Sequence, residues 1–164
     1  LGGIPMIFYG DEAGYTNDYS YLEDPGKAYD NRWMHRPIID WKKNERTEIE
    51  GSIEQRVYSA TQKLIAIRKR LPMIADTKNL TWLTPHNVHV AGYLRTREDR
   101  RVYCLFNFSD RTQALTWYIF REHGLISERL LDYWTGEQVS LGPDHESLNL
   151  APYQFMILEP GATG

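Results

Sequence analysis

Between Leu80 and Leu158 the chain runs in short aromatic and β-branched segments separated by turn residues, a rhythm that belongs to antiparallel β-structure. Strands are predicted near Leu80–Leu83, Val88–Arg95, Arg101–Phe108, Ala114–Tyr118, Arg129–Tyr133 and Tyr153–Leu158. The turns between them include Pro85-His86-Asn87, Arg97 to Arg100, Ser109-Asp110, Thr135-Gly136 and Gly142-Pro143-Asp144. Consecutive strands of this length predict a β-sandwich of about eighty residues.

The pattern upstream is different. Ile53, Val57, Ala60, Leu64, Ile67 and Leu71 recur at intervals of three and four, which predicts one amphipathic helix over residues 52–71. Ser52 and Gln55 have capping-box spacing, Arg68-Lys69-Arg70 set positive charge at the negative end of the helix dipole, and Pro72 stops the helix. Before it, Ile4 to Tyr9 is a continuous apolar run between glycines, as in a strand buried on both faces of a parallel sheet. Asp11 to Glu50 then shows no clear periodicity, and a loop that long is usually functional or mobile. One strand, one loop and one helix make a single βα unit, whereas a parallel sheet requires neighbouring strands. Those neighbours are absent from this sequence.

Charge and cysteine content narrow the chemistry. The 164 residues are 41% hydrophobic, enough to bury one sizeable core or two small ones. Their 19 basic and 22 acidic residues contain no basic block, so nucleic acid is not an expected partner. No apolar stretch approaches the roughly 18–20 residues of a membrane span, and membrane is likewise not expected. Cys104 is the one cysteine and lies in the apolar run Val102 to Phe106, where it reads as a small buried side chain. Neither a metal site nor another cofactor is expected. Leu1 is not an initiator Met, and the true start is expected to lie upstream.

The segment Gly2-Gly3-Ile4-Pro5-Met6-Ile7-Phe8-Tyr9-Gly10-Asp11-Glu12 resembles the signature of the eighth barrel strand in the α-amylase superfamily, glycoside hydrolase family 13. The helix over 52–71 resembles that family's eighth barrel helix. Residues from about 78 resemble its β-sandwich domain C, including Asp132-Tyr133-Trp134-Thr135-Gly136-Glu137 and Leu150-Ala151-Pro152-Tyr153-Gln154. The fold class this implies is mainly β: a C-terminal antiparallel β-sandwich, residues 78–164, preceded by the last βα unit of a truncated (β/α)₈ barrel, residues 1–77. Asp30-Asn31-Arg32-Trp33-Met34-His35-Arg36-Pro37 further resembles the eighth-strand loop of amylosucrases, which move glucosyl units from sucrose to α-glucan; Asn107-Phe108-Ser109 and Pro152-Tyr153-Gln154 are similar to the same subfamily.

What the resemblance implies for the site is limited. Barrel enzymes build active sites at the carboxyl ends of their strands, which is where the long loop leaves. In the subfamily an Arg at the position of Arg32 pairs with an Asp from an early barrel loop and closes the floor of the glucosyl subsite. Guanidinium suits that role because it stays charged and binds carboxylate through two parallel bonds. A solvated loop charge is the alternative. Glu12 is expected to organise the loop behind the site, and His35 to support Arg32 or Trp33 or else to be an ordinary packed or surface histidine. Asp11, Asp18 and Asp30 have the residue type of paired carboxylates for glycoside chemistry, but nothing in their spacing fixes a separation, and solvated loop acids are the simpler reading. The family's nucleophile, general acid and third Asp come from strands four, five and seven, so no catalytic carboxylate is expected here and the chain alone is expected to be inactive. Sucrose and α-glucan are the partners implied for the full-length enzyme, with self-association expected of the chain itself. Alternative readings are a sucrose hydrolase or another family hydrolase or transglucosidase, and, in a different class, a non-catalytic carbohydrate-binding β-sandwich.

Overall fold

The alternation of side chains along one central strand explains how the β-region builds two cores. A computed structural model describes residues 5–76, 78–124, 129–140 and 147–161. The chain divides into two compact units, Ile4–Ala66 and Ile67–Gly164. Its helices are α1 (Trp41–Glu45), α2 (Ile53–Arg70) and α3 (Tyr118–Arg121). The strands are β1 (Leu80–Trp82), β2 (Val90–Arg97), β3 (Arg100–Asn107), β4 (Gln113–Thr116), β5 (Arg129–Asp132), β6 (Gln138–Ser140), β7 (Ser147–Leu150) and β8 (Phe155–Pro160).

In the second unit, six strands form one sheet in the order β1-β2-β3-β8-β5-β6, and β4 pairs with β7 in a second, two-stranded sheet. Every described pairing is antiparallel. Successive side chains of a strand point to opposite faces. Tyr103 and Leu105 of β3 therefore share a face with their cross-strand partners Leu94, Leu158 and Met156, and this face packs against Leu115 of β4 and Leu148 and Leu150 of β7. Ile119 and Phe120 of α3 close that core, the Phe120 ring lying edge-on to Tyr103 at 4.9 Å. Val102 and Cys104 face the other way, with Ile157, and pack against Ile67, Leu71 and Met73. The sandwich expected from strand rhythm is thus present, and its large sheet carries helix on its second face.

That second core also explains where the units divide. The two compact units divide inside α2, between Ala66 and Ile67, and from there on Ile67 near the helix end and Leu71 just after it are buried against the sheet. The face formed by Ile53 and Leu64 stays exposed. Ser52 Oγ accepts the Gln55 N–H at 3.0 Å, but Gln55 turns forward to Ser59 at 3.1 Å, so only half of the expected capping box forms.

Several expected boundaries move. Val88 precedes the sheet, which β2 enters at Val90; Tyr118 starts α3 instead of ending β4; and Tyr153 sits at a φ of 54° in the turn before β8. The Gly142-Pro143-Asp144 turn lies outside the described residues.

The first unit shows the consequence of a strand without neighbours. Among its described residues, 5–9 pair with no strand, and Met6 is 90% exposed; Ile4 lies outside them. An apolar parallel strand is stable only with strands beside it, and none of the described residues supplies one. The stretch expected to lack periodicity is a chain of single turns: 3₁₀ turns at Asp11–Ala13, Ser20–Glu23, Asn31–His35 and Arg46–Glu48, with α1 before the last.

Candidate functional site

The long loop begins with a turn whose shape is dictated by two glycines. Gly10 and Gly14 take φ values of 91° and 64°, left-handed conformations that bracket the turn Asp11–Ala13. A Cβ on Gly10 would come 3.0 Å from the Tyr15 ring, so both the backbone conformation and the space at this corner favour glycine. Glu12 accepts the Gly10 N–H at 2.9 Å and Asp11 accepts the Phe8 N–H at 3.2 Å. Tyr15 then ties the turn to α1. Its hydroxyl accepts the Asp40 N–H at 2.8 Å and lies 2.9 Å from Asn44 Oδ1, while Lys43 Nζ sits 4.3 Å above the ring centre and donates to the Gly14 carbonyl at 3.1 Å.

Arg32 stands on the 3₁₀ turn Asn31–His35, which Asp30 caps by accepting the Arg32 N–H at 3.0 Å. The same carboxylate takes a side-on fork from the guanidinium, Nε to Oδ1 at 2.8 Å and Nη2 to Oδ2 at 2.8 Å. The side-chain bonds from Arg32, reinforced by its backbone N–H, hold the Asp30 carboxyl down at about 2 and raise the guanidinium in turn. Arg32 itself is 75% exposed. Next to it, Trp33 has Lys27 Nζ 5.3 Å and the Arg36 guanidinium 5.1 Å from its ring centre, within cation–π range.

Two contacts clasp the limbs of the loop: Asn17 Oδ1 to His35 Nδ1 at 3.2 Å, and the Asp18 N–H to the Met34 carbonyl at 2.8 Å. Beside this clasp is a cleft of about 190 Å³. Phe8, Tyr9 and Tyr15 are among its lining residues. Asp11, Thr16, Asn17, His35 and Pro37 complete the lining.

The structure therefore brings Glu12 and His35 to opposite limbs of one loop, as turn-former and clasp, and places Arg32 on the turn that His35 ends. Asp11, Asp18 and Asp30 do not converge as a catalytic pair. Each is engaged locally, with the Phe8 N–H, the Ser20 N–H and Arg32 respectively. Among the described residues no three His, Cys, Asp or Glu side chains gather as metal ligands, and no helix is long and apolar enough to cross a membrane. Sequence reasoning passed over Asn17 and Tyr15. Gly14 before Tyr15 was a local cue for the turn, but partners 18 and 25 positions away left no spacing signal.

The antiparallel six-stranded sheet, with the two-stranded sheet on one face and the end of α2 on the other, makes this unit mainly β, as a C-terminal β-sandwich is. Residues 80–157 match the family described as maltogenic amylase, C-terminal domain. Neopullulanase 2 of Thermoactinomyces vulgaris is 27% identical over 159 residues, which cover 97% of this chain and 23% of the relative. The maltogenic α-amylase of Bacillus acidopullulyticus is 24% identical over 159 residues, covering 96% of this chain and 23% of that protein. The fold is also that of an Anoxybacillus α-amylase crystal structure, with a TM-score of 0.64 and 20% identity over 99% of this chain and 30% of that one. The chain thus spans about a quarter of the length of the two curated relatives.

Proposed function

We propose that the chain is the C-terminal part of a retaining α-glucan-active enzyme of the amylosucrase kind, which transfers glucosyl units from sucrose to α-glucan. The family match over residues 80–157 supports the enzyme family. Support for the finer reading rests on Arg32 in the loop Asp30 to Pro37. Guanidinium carries five donors in a rigid fork. Asp30 occupies the edge formed by Nε and Nη2, which fixes the plane of the group and leaves Nη1 without a partner among the described residues. A guanidinium held in this way is already oriented to receive a second carboxylate, the role that the amylosucrase resemblance assigns to an Asp of the barrel. Pre-orientation by Asp30 removes entropy that the second contact would otherwise have to overcome.

The test is kinetic, in the full-length enzyme. Arg32→Ala is expected to lower kcat/KM on sucrose at least tenfold, and Arg32→Lys nearly as much, since an ammonium cannot span two carboxylates in a plane. A loss below threefold for Arg32→Ala, with folding intact by circular dichroism, would overturn the role. Sucrose turnover indistinguishable from buffer in the unmodified enzyme would overturn the amylosucrase reading itself.

A further inference from the structure

Arg32 and the carboxylate that orients it stand on the same turn, so their fork fixes the plane of the guanidinium but not where the turn itself points. That direction is set by bonds that cross from one limb of the loop to the other. Asn17 and Asp18 on the outgoing limb meet His35 and Met34 on the return, in reverse order, as consecutive positions do in an antiparallel pair. Arg32 lies just inside the neck they form.

Both sides of the neck are anchored. On the outgoing limb the Tyr15 hydroxyl accepts the Asp40 N–H at 2.8 Å and Lys43 donates to the Gly14 carbonyl at 3.1 Å, so Asn17 follows a segment already held to α1. On the return limb Lys27 and Arg36 both lie within cation–π range of Trp33, the Asp30 N–H reaches the Lys27 carbonyl at 2.9 Å, and Lys27 pairs with Asp24 at 3.2 Å. Residues 19–33 thus hold together through their own side chains, as the roughly 6–16 residues of an Ω-loop do. The Asp18–Met34 bond joins main chains, and most residue types could make it. The Asn17–His35 bond depends on residue identity: because Asn17 Oδ1 can only accept, His35 Nδ1 carries the proton, and that N–H can be present on the neutral and on the protonated ring alike.

We propose that Asn17 and His35 are a positioning pair, which orients the turn bearing Arg32 and through it the guanidinium. That this orientation serves glucosyl transfer rests on the reading above; the pair itself rests on the cross-limb bonds. A displacement of about 1 Å can cost on the order of 100-fold in rate, so a modest loosening of the neck is enough to be measured.

Two measurements test it. In the 164-residue chain, the Arg32, Trp33 and Arg36 amides are each hydrogen-bonded within the turn. Their hydrogen exchange, followed by NMR, should speed up at least threefold in Asn17→Ala and in His35→Ala, with the amides of α2 unchanged. His35→Asn, which places an N–H at the position of Nδ1, should restore the wild-type rate. In the full-length enzyme, His35→Ala is expected to lower kcat/KM on sucrose at least fivefold and His35→Asn less than twofold. In an Arg32→Ala background His35→Ala should add less than twofold, because a residue that acts through Arg32 has nothing left to position. A merely structural role would make the two losses multiply. Exchange indifferent to both alanine variants, no rescue by His35→Asn, or multiplying losses in the double variant would each overturn the proposal. An enzyme inactive on sucrose would refute the proposed activity, and the exchange rates would still decide whether this pair holds the Arg32 turn.

Discussion

Asp132 shows how one buried carboxylate can set a turn and join it to a sheet. Its Oδ1 accepts N–H groups from Trp134 at 3.0 Å and Ile157 at 3.1 Å, and its Oδ2 takes the Thr135 hydroxyl at 3.0 Å. Gly136, at a φ of 81°, lets the chain return so that its N–H reaches the Asp132 carbonyl at 2.7 Å. Hydrogen bonds to a charged group contribute about 1.5–3 kcal/mol each, and their loss would leave buried donors unsatisfied. Asp132→Ala is therefore expected to destabilise the sheet unit by about 3 kcal/mol or more, and Asp132→Asn by less; equal urea midpoints for wild type and Asp132→Ala would contradict this account. Cys104 makes a complementary case. Burial raises its thiol to about 11, against 9 for the free group. The native fold should resist alkylation at pH 8 while the urea-unfolded chain reacts, and a native rate equal to the unfolded rate would refute the assignment. The sign for stability follows: the fold favours the neutral thiol, so its contribution is full below pH 9 and declines as pH rises through about 11.

At the level of elements, α2 depends on Ser52. Its hydroxyl accepts the Gln55 N–H and donates to the Arg46 carbonyl at 2.6 Å, so a single side chain both caps the helix and anchors the loop before it. Replacing an N-cap serine by alanine typically costs about 1 kcal/mol. Ser52→Ala should accordingly speed amide exchange in the first turn of α2 about fivefold while leaving β3 unchanged; equal protection in both proteins would show that the cap is idle. The same elements show what a sequence can disclose. The helix and the long strands were legible because their side-chain periods differ, 3.6 against 2, and each repeats enough times to be seen. β6 and β7, with three and four residues, offer too few repeats, and α3 was absorbed into the end of β4 because Trp117-Tyr118-Ile119-Phe120 is as apolar as a strand. The run Ile4–Tyr9 has the composition of a buried strand, but burial depends on partners outside the segment; the sequence supplies no neighbouring strand, and residues 5–9 pair with none among the described residues. In the loop, Arg32 was recognisable from its motif and Asp30 lies only two positions away, whereas the Asn17–His35 clasp joins residues whose partnership only the fold creates.

The two units differ in what they bury, and this sets the behaviour of the whole chain. The sheet unit holds two apolar clusters, one on each face of its large sheet. In residues 5–66 Ala13 is the one hydrophobic side chain buried among those described, while Met6, Ile7, Phe8 and Tyr9 form a contiguous exposed run and Ile38, Trp41 and Ile53 add to the uncovered surface. Apolar burial is the main term offsetting chain entropy, and a segment without it has little local stability. Amides of β2, β3 and β8 should then exchange only through global unfolding, and the hydrogen-bonded amides of residues 5–50 through local opening, well before them. Exposed contiguous apolar surface also promotes association, because contact between copies removes it from water. The chain is therefore expected to self-associate through Met6 to Tyr9, with a mass by light scattering that rises across a concentration series. Introducing charge by Met6→Lys and Phe8→Lys should restore a monomer without changing the urea midpoint of the sheet unit. A strictly monomeric wild-type chain at every concentration, or association that the two lysine substitutions leave untouched, would show that this run is not the contact surface.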